Sequence, residues 1–480
     1  MQMDEAQCYR AMLSRDRRFD GRFFTGVRTT GIYCRPICPA RAPRRENPTY
    51  FPCAAAAEEA GFRPCLRCRP ETAPGTAAWA GSSTTVARAL RLIDDGALDA
   101  GDIDALSHRL GVSSRHLRRL FDEHLGASPI SVALTRRLHF ARRLLTETTL
   151  SMSEVAFGAG FSSLRRFNDA ALNAWRVAPT AVRRRDKGPA RGVIELTLGY
   201  REPFDWKGLL GFLSLRAIAG IETIEGDVYR RAVRLGGAAG IVEVRPSASG
   251  STLLLSVPID FARDLGTIVG RTRRLFDLDA DPLAIGTALG RDPLLSRLVK
   301  GRPGLRVPGA WDPFELAIRA ILGQQVSVKG ASTLAARLVR ALGNAVETAD
   351  AKLDRLFPSP ERVAESDLDG VGLTTSRAAT IRRFASAVAS GELRFESASS
   401  IEEAVGEMTS IVGIGDWTAQ YIAMRALAWP DAFPHTDLGV MKALGETSPR
   451  RVLASAERWQ PWRAYAVMHL WHSTTAKDAT

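Results

Sequence analysis

Two stretches of the chain repeat one arrangement of apolar and polar positions. Asp102-Ile103-Asp104-Ala105-Leu106 through Leu110-Gly111-Val112-Ser113 to Leu117, Leu120 and Phe121 predicts helix, tight turn, helix, with Ser113 placed to cap the second helix. Met152 to Phe167 repeats the unit around Gly158-Ala159-Gly160, and a long helix over about Ile130 to Leu145 joins the two. Beyond Pro179 and a basic run ending in Lys187-Gly188-Pro189, the period changes. Ile194-Glu195-Leu196-Thr197-Leu198 alternates as a half-buried strand does, and Gly240 to Val244 with Thr252 to Val257 predicts a hairpin across Pro-Ser-Ala-Ser-Gly. An apolar helix around Leu209 to Ala217 lies between them. From about residue 300 the spacing is helical to the end. Asp312-Pro313-Phe314-Glu315 reads as a helix start with a capping acid, a proline and a reciprocal glutamate. Near the C-terminus, Val412-Gly413-Ile414-Gly415 opens another helix. Phe433-Pro434-His435-Thr436-Asp437 follows it, where Pro434 and Gly439 stop helical continuation.

A Gly-x-Gly turn that opens a helix points backbone N–H groups at one spot, an arrangement suited to a phosphate oxygen, although such turns also occur with no ligand. Composition favours the phosphate. The 480 residues carry 65 Lys and Arg against 52 Asp and Glu, a formal net charge of +13, which favours a polyanionic partner. Nucleic acid heads the candidates. An anionic membrane surface is the second candidate, and no membrane span is expected, because no run reaches the roughly 18 apolar residues that one needs. The opening Met1-Gln2-Met3-Asp4-Glu5 carries acids where a signal peptide carries bases, so the expected location is cytoplasmic, on the nucleoid.

All six cysteines fall between Cys8 and Cys68. Cys34-x3-Cys38 and Cys65-x2-Cys68 form two close pairs, which lets four thiolates converge on one Zn²⁺ and stabilises a segment too small for a large core. Such a site is either purely structural or chemically active. Arg35, Arg41, Arg44, Arg45, Arg63, Arg67 and Arg69 crowd the pairs, and a metal-held thiolate is a nucleophile, both of which favour the active reading. Cys8 and Cys53 have no partner spacing and read as small apolar residues.

Gly31-Ile32-Tyr33-Cys34-Arg35-Pro36, Pro39-Ala40-Arg41, Arg45-Glu46-Asn47 and Gly61-Phe62-Arg63-Pro64-Cys65-x-Arg67-Cys68 closely resemble the N-terminal zinc domain of the Ada alkylation-response proteins. The resemblance implies that Cys34 takes a methyl group irreversibly from a DNA methylphosphotriester while Cys38, Cys65 and Cys68 complete a site for one zinc, and that Arg45 contacts DNA. Four thiolates on Zn²⁺ carry a charge of about −2, and one methylation reduces it to about −1, so repulsion from DNA falls. The tandem helix-turn-helix resembles the AraC-type regulators, which implies that Arg115, Arg118 and Arg119 on one second helix, and Arg165 and Arg166 on the other, meet DNA. A lone unit of this kind can be a plain helical hairpin; the repeat and its arginines favour a reader of two major-groove faces.

From Leu196 to about Trp471 the chain resembles the AlkA-type 3-methyladenine DNA glycosylases. The resemblance is carried by Phe204-Asp205-Trp206, Leu210-Gly211-Phe212-Leu213, Arg274-Leu275-Phe276-Asp277-Leu278, Ala320-Ile321-Leu322-Gly323-Gln324, the Gly413–Gly415 hairpin and Trp459-x-Pro461-Trp462-Arg463-x-Tyr465-Ala466. It implies a catalytic Asp437, a base pocket of Phe212, Trp417, Tyr421 and Trp471, and DNA contacts from Gly413, Gly415, Gln324 and Gln325. Trp417 stands where lyase relatives carry a lysine, which implies hydrolysis with no lyase step. Gln325 departs from the apolar wedge of that pattern. The Pro-Cys-His-Arg of a second Ada methyltransferase domain is absent from this sequence.

The expected fold is multidomain, mainly α with α+β: a four-cysteine zinc domain over 1–75, tandem helix-turn-helix over 82–186, a small α+β sheet domain over 193–300 and a helix-hairpin-helix glycosylase domain over 301–475. The expected partners are alkylated and promoter double-stranded DNA and RNA polymerase, with the chain a monomer. The competing reading is a DNA-binding regulator whose zinc site is structural and whose glycosylase-like half only grips DNA.

Overall fold

The computed structural model describes residues 4–73, 84–99, 101–183, 192–248, 250–395 and 401–478. Most of the linker expected over Thr72 to Thr85, residues 184–191, and Ser249 of the hairpin turn lie outside them.

The N-terminal part is built on a four-stranded sheet in the order Pro48–Phe51, Phe24–Val27, Ile32–Cys34, Arg63–Pro64. Its last two strands run parallel with Tyr33 opposite Pro64. The next residue on each is a cysteine, so Cys34 and Cys65 leave the sheet side by side.

Helices Ile103–Arg109 and Ser114–Leu125 form the first helix-turn-helix, Pro129–Glu147 is the long spacer, and Met152–Gly158 and Leu164–Trp175 form the second. A further helix, Thr84–Asp94, precedes them and lies N-terminal to the pattern read from sequence. Ser113 caps as expected, its hydroxyl accepting the His116 N–H at 3.3 Å. Gly111 and Gly160 hold the turns at φ +70° and +87°, a conformation that glycine adopts without penalty. Leu117, Phe121 and Leu125 are buried under the second helix of the first unit, and Phe167, Ala171 and Trp175 under the second helix of the other, so the arginines between them face outward.

An antiparallel five-stranded sheet follows, in the order Val193–Gly199, Thr252–Pro258, Ala238–Pro246, Val228–Leu235, Glu222–Glu225. Leu255 pairs with Leu196 on one side and Val244 on the other, so the two segments form the expected hairpin. Two strands, Glu222–Glu225 and Val228–Leu235, go beyond those predicted, because Arg230 and Arg231 interrupt the apolar alternation. The apolar helix runs over Trp206–Ser214, earlier than expected, since the Asp205 carboxylate accepts the Gly208 N–H at 2.9 Å and sets its start. Helices also begin before residue 300, at Leu265–Leu275, Pro282–Leu289 and Pro293–Gly301. The last two carry the same Asp-Pro start as Pro313–Leu322.

Asp312 caps that helix by accepting the Glu315 N–H at 2.9 Å, but the Glu315 side chain does not return to the cap. It is buried with Arg231 and Arg319, and Glu222 completes the cluster at 3.1 Å from Arg231 and 3.0 Å from Arg319. Burial alone would push Glu222 up; Arg319, Arg231 and the Tyr229 hydroxyl outweigh it and hold the carboxyl at about 2. Its stabilising effect is therefore complete above the ordinary glutamate value and is lost as pH falls toward 2. Glu222→Gln leaves Arg231 and Arg319 short of a counter-charge and should cost about 3–5 kcal/mol in chemical denaturation at pH 7. That deficit should shrink as the wild type is titrated below about pH 4.

The parts are packed together. Residues of the second helix-turn-helix and of the sheet share one hydrophobic core, from Leu138 through Trp175 to Ile194 and beyond. The Thr197 N–H and hydroxyl donate to Glu147 at 3.1 and 3.0 Å, Arg274 pairs with Asp95 at 2.8 Å, and Arg22 of the N-terminal part pairs with Asp281. A side chain on Gly158 would come within 2.4 Å of the Ala262 carbonyl oxygen, so this contact requires glycine. Among the described residues no helix is long and apolar enough to cross a membrane.

Candidate active site and metal centre

The hairpin at Gly413 and Gly415 is held from two sides. Gly413 sits at φ +100°, and a Cβ there would fall 1.9 Å from the Thr380 hydroxyl oxygen. The Gln324 side-chain amide donates to the Gly413 carbonyl at 3.0 Å and to the Thr418 hydroxyl at 2.9 Å, so this glutamine fastens the hairpin. Gly415 is the N-cap of helix Asp416–Arg425 and supplies no side-chain cap, which leaves first-turn N–H groups for an outside acceptor. Gly413→Ala combines left-handed strain of about 1–2 kcal/mol with the Thr380 clash. It should lower the melting temperature by several degrees and weaken binding to undamaged duplex in a filter assay.

Asp437 caps the helix Leu438–Leu444, so Gly439 lies inside that helix and does not break it. Three N–H groups converge on the carboxylate: Val440 at 2.9 Å and the Trp471 indole at 2.8 Å on Oδ1, and the Trp417 indole at 2.9 Å on Oδ2. Pro434 and the turn after it bring the carboxylate back over the hairpin helix. It opens on a cavity of about 1050 Å³ lined by Trp417, Tyr421, Trp471, Gln325 and the hairpin glycines.

Trp417 and Tyr421 stack at 5.4 Å, and Tyr421 meets Trp471 at 6.2 Å. Phe212 is not in the cavity wall. It is buried behind Trp471, stacked at 6.1 Å, with the Arg216 guanidinium 3.6 Å over its ring. Trp459, Trp462 and Tyr465 are core. Gln325 is exposed at the cavity lip at φ +55°, followed by the exposed Val326 and Val328.

Two cations at the site, Arg216 and Arg425, are not among the residues expected from sequence. Arg425 donates to the Tyr421 hydroxyl at 2.7 Å and to the Pro308 and Gly309 carbonyls at 2.7 and 3.2 Å. Burial pushes the Tyr421 phenol up, but Arg425 and Arg216 outweigh it and hold it below the usual value. For Tyr421 and Arg425 the signal is present, since they lie four residues apart on the helix Asp416–Arg425, whereas Arg216 lies beyond the end of helix Trp206–Ser214.

At the other end of the chain the Sγ atoms of Cys34, Cys38, Cys65 and Cys68 lie within 4.8 Å of one another, Cys38 and Cys65 at 3.9 Å. Tetrahedral Zn–S bonds of about 2.3 Å place sulfurs about 3.8 Å apart, so the donor set fits zinc. Without a cation four packed thiols cannot all ionise: Cys34 is pushed up by its hydrogen bonds to Cys38, Cys65 and Cys68, and then by burial. Cys34 is the most accessible of the four and faces a cavity of about 840 Å³. The arginines divide. Arg41, Arg44, Arg45, Arg63 and Arg67 are exposed, whereas Arg35 turns inward to Asp20, Thr72 and the Cys68 carbonyl, and Arg69 to Glu71 and Glu147. Cys8 and Cys53 are buried apart from the cluster. Arg115, Arg118, Arg119, Arg165 and Arg166 are all exposed on their helices.

Residues 7–71 match the family described as the metal binding domain of Ada, 106–185 a helix-turn-helix domain, and 195–312 the AlkA N-terminal domain. A probable bifunctional transcriptional activator/DNA repair enzyme AlkA of Mycobacterium tuberculosis is 44% identical over 98% of this chain and 97% of its own length. DNA-3-methyladenine glycosylase 2 of Escherichia coli is 34% identical over 58% of this chain and 96% of its own. A 3-methyladenine DNA-glycosylase from Archaeoglobus fulgidus superposes with a TM-score of 0.51 at 26% identity, covering 57% of this chain and 96% of that one.

Proposed function

The chain belongs to the family of bifunctional transcriptional activator and DNA repair proteins that join an Ada-type half to an AlkA-type glycosylase, and on that premise we propose that it senses DNA alkylation with Cys34 and removes alkylated bases with Asp437. Its partner is DNA and its cofactor is zinc. The observation that carries the glycosylase reading is the Asp437 carboxylate, held between the Trp417 and Trp471 indoles at the mouth of an aromatic cavity.

Alkylation of a ring nitrogen leaves the purine cationic and already a good leaving group. A base turned out of the duplex meets Trp417, Tyr421 and Trp471, whose ring faces attract the cation. As the C1′–N bond breaks, positive charge develops on the sugar, and Asp437 stabilises it while water completes hydrolysis. Three N–H donors fix the carboxylate in advance, so little reorganisation is needed. The described lining contains no lysine to form a Schiff base, which favours a monofunctional hydrolase. Gly413, Gly415 and Gln325 meet the DNA around the lesion, and Gln324 supports them.

At the sensor, the Cys34 thiolate attacks the methyl carbon of a phosphotriester. The S–C bond forms, the O–C bond breaks, and a phosphodiester oxygen leaves with the electron pair. Bound zinc keeps the four sulfurs ionised at neutral pH. The thioether does not transfer the methyl onward, so each chain accepts one. Loss of one negative charge strengthens DNA binding by Arg45 and its exposed neighbours, and the arginines of both recognition helices then hold promoter DNA for RNA polymerase, with the chain a monomer.

Incubation of the full chain with duplex DNA bearing N-methylated purines tests the reading. Free 3-methyladenine should appear with no strand cleavage and no borohydride-trapped protein–DNA adduct. If no base is released, the glycosylase half only grips DNA; a trapped adduct would overturn the monofunctional assignment.

A further inference from the structure

The helix Pro313–Leu322 has two differently occupied ends. Its C-terminal end, with Ala320 and Gly323, borders the cavity of Asp437, whereas its N-terminal end borders a separate cleft, about 15 Å away by helical rise. That cleft measures about 890 Å³ and lies between helix Thr84–Asp94 on one side and strand Val228–Leu235 and helix Leu265–Leu275 on the other.

Its described lining contains seven arginines and three acids, Asp95, Asp312 and Glu315. Each acid is already engaged. Asp95 pairs with Arg274 at 2.8 Å, Asp312 caps a helix through the Glu315 N–H, and Glu315 belongs to the buried cluster with Arg231. Among the described residues neither Arg234 nor Arg271 has an ion-pair partner within reach. The Arg231 and Arg271 guanidiniums each lie 5.7 Å from the Trp311 ring centroid. Burial pushes Arg271 below its usual value; Asp312 and Asp95 oppose this, and the like charges of Arg274 and Arg231 add to it. Like charges gathered in a partly dry cleft raise the local potential and attract a multivalent anion.

We infer that this cleft binds a phosphate ester. Arginine forks match tetrahedral oxyanions, two charges of one ligand would offset Arg234 and Arg271 together, and the volume suits a nucleotide-sized group. Trp429 and Phe357 in the same wall add apolar surface for the remainder of the ligand. The phosphate can come from a free nucleotide or from a DNA backbone carried past the first helix-turn-helix. The inference is independent of the chemistry at Asp437 and Cys34.

Calorimetric titration of the zinc-loaded full chain with ADP and with inorganic pyrophosphate tests it. One saturable site is expected for both. Arg234→Glu, a change at an exposed position, should weaken binding at least tenfold; Arg271→Ala should weaken it too, and Arg291→Glu, a distant exposed control, should leave it unchanged. Undamaged duplex that competes with pyrophosphate identifies the backbone as the source, and duplex that binds alongside it identifies a free nucleotide. Absence of saturable binding, or equal binding by wild type and both cleft variants, overturns the inference.

Discussion

Asp437→Asn should reduce base release from alkylated duplex by about 10²–10³-fold, the usual effect of removing one preorganised charge-stabilising group. Asparagine keeps an oxygen to cap Leu438–Leu444 through the Val440 N–H, so the helix should survive. The new amide NH₂ then faces the Trp417 indole N–H, a donor opposite a donor in place of the present 2.9 Å bond. What is lost is charge at C1′. Duplex affinity should remain close to wild type, because the hairpin at Gly413 is held by Gln324 and Thr380, not by Asp437. Asp416→Asn is the matched control: this acid lies in the first turn of the hairpin helix and pairs with His435 at 3.3 Å. Single-turnover excision by the three proteins separates loss of chemistry from loss of folding. Wild-type rates in Asp437→Asn would assign the charge stabilisation to another group.

The second large effect belongs to Cys34. Cys34→Ala should eliminate methyl uptake from methylphosphotriester DNA, because Cys38, Cys65 and Cys68 are buried beside it and present no comparable access. Peptide mass spectrometry of the wild type should place one methyl on Cys34 and none on the other three. Base release by Cys34→Ala should persist, since the two sites share no residue. A methyl found on Cys38 instead would move the nucleophile to that position and contradict the accessibility argument.

Several of these features can be read from local sequence because their causes are local. Ser113 and Asp312 cap the helices they precede, and the Gly-x-Gly turn opens a helix as expected. Other features depend on contacts distant in sequence. Val228–Leu235 is a central strand although arginines interrupt its apolar pattern, because Arg231 turns inward to meet Glu315, 84 residues away. For the same reason Glu315 leaves the capping box that its spacing suggests. Phe212 is a related case. Expected in the base pocket, it lies behind Trp471 with Arg216 over its ring, and only tertiary packing determines which aromatic reaches the cavity. The docking of the N-terminal part on Asp281 and of Glu147 on Thr197 has no local signal either, since each depends on a single side chain meeting a surface formed far along the chain.

One chain is expected to carry both chemistries, at sites with no residue in common. A single incubation separates the outcomes: zinc-loaded protein is mixed with duplex DNA treated with a methylating agent, and the free bases and the cysteine peptides are measured from the same sample. The expected result is 3-methyladenine accumulating over many turnovers while methyl on Cys34 stops at one per chain. Base release without any methyl on Cys34, or methyl on Cys34 without base release, would contradict it.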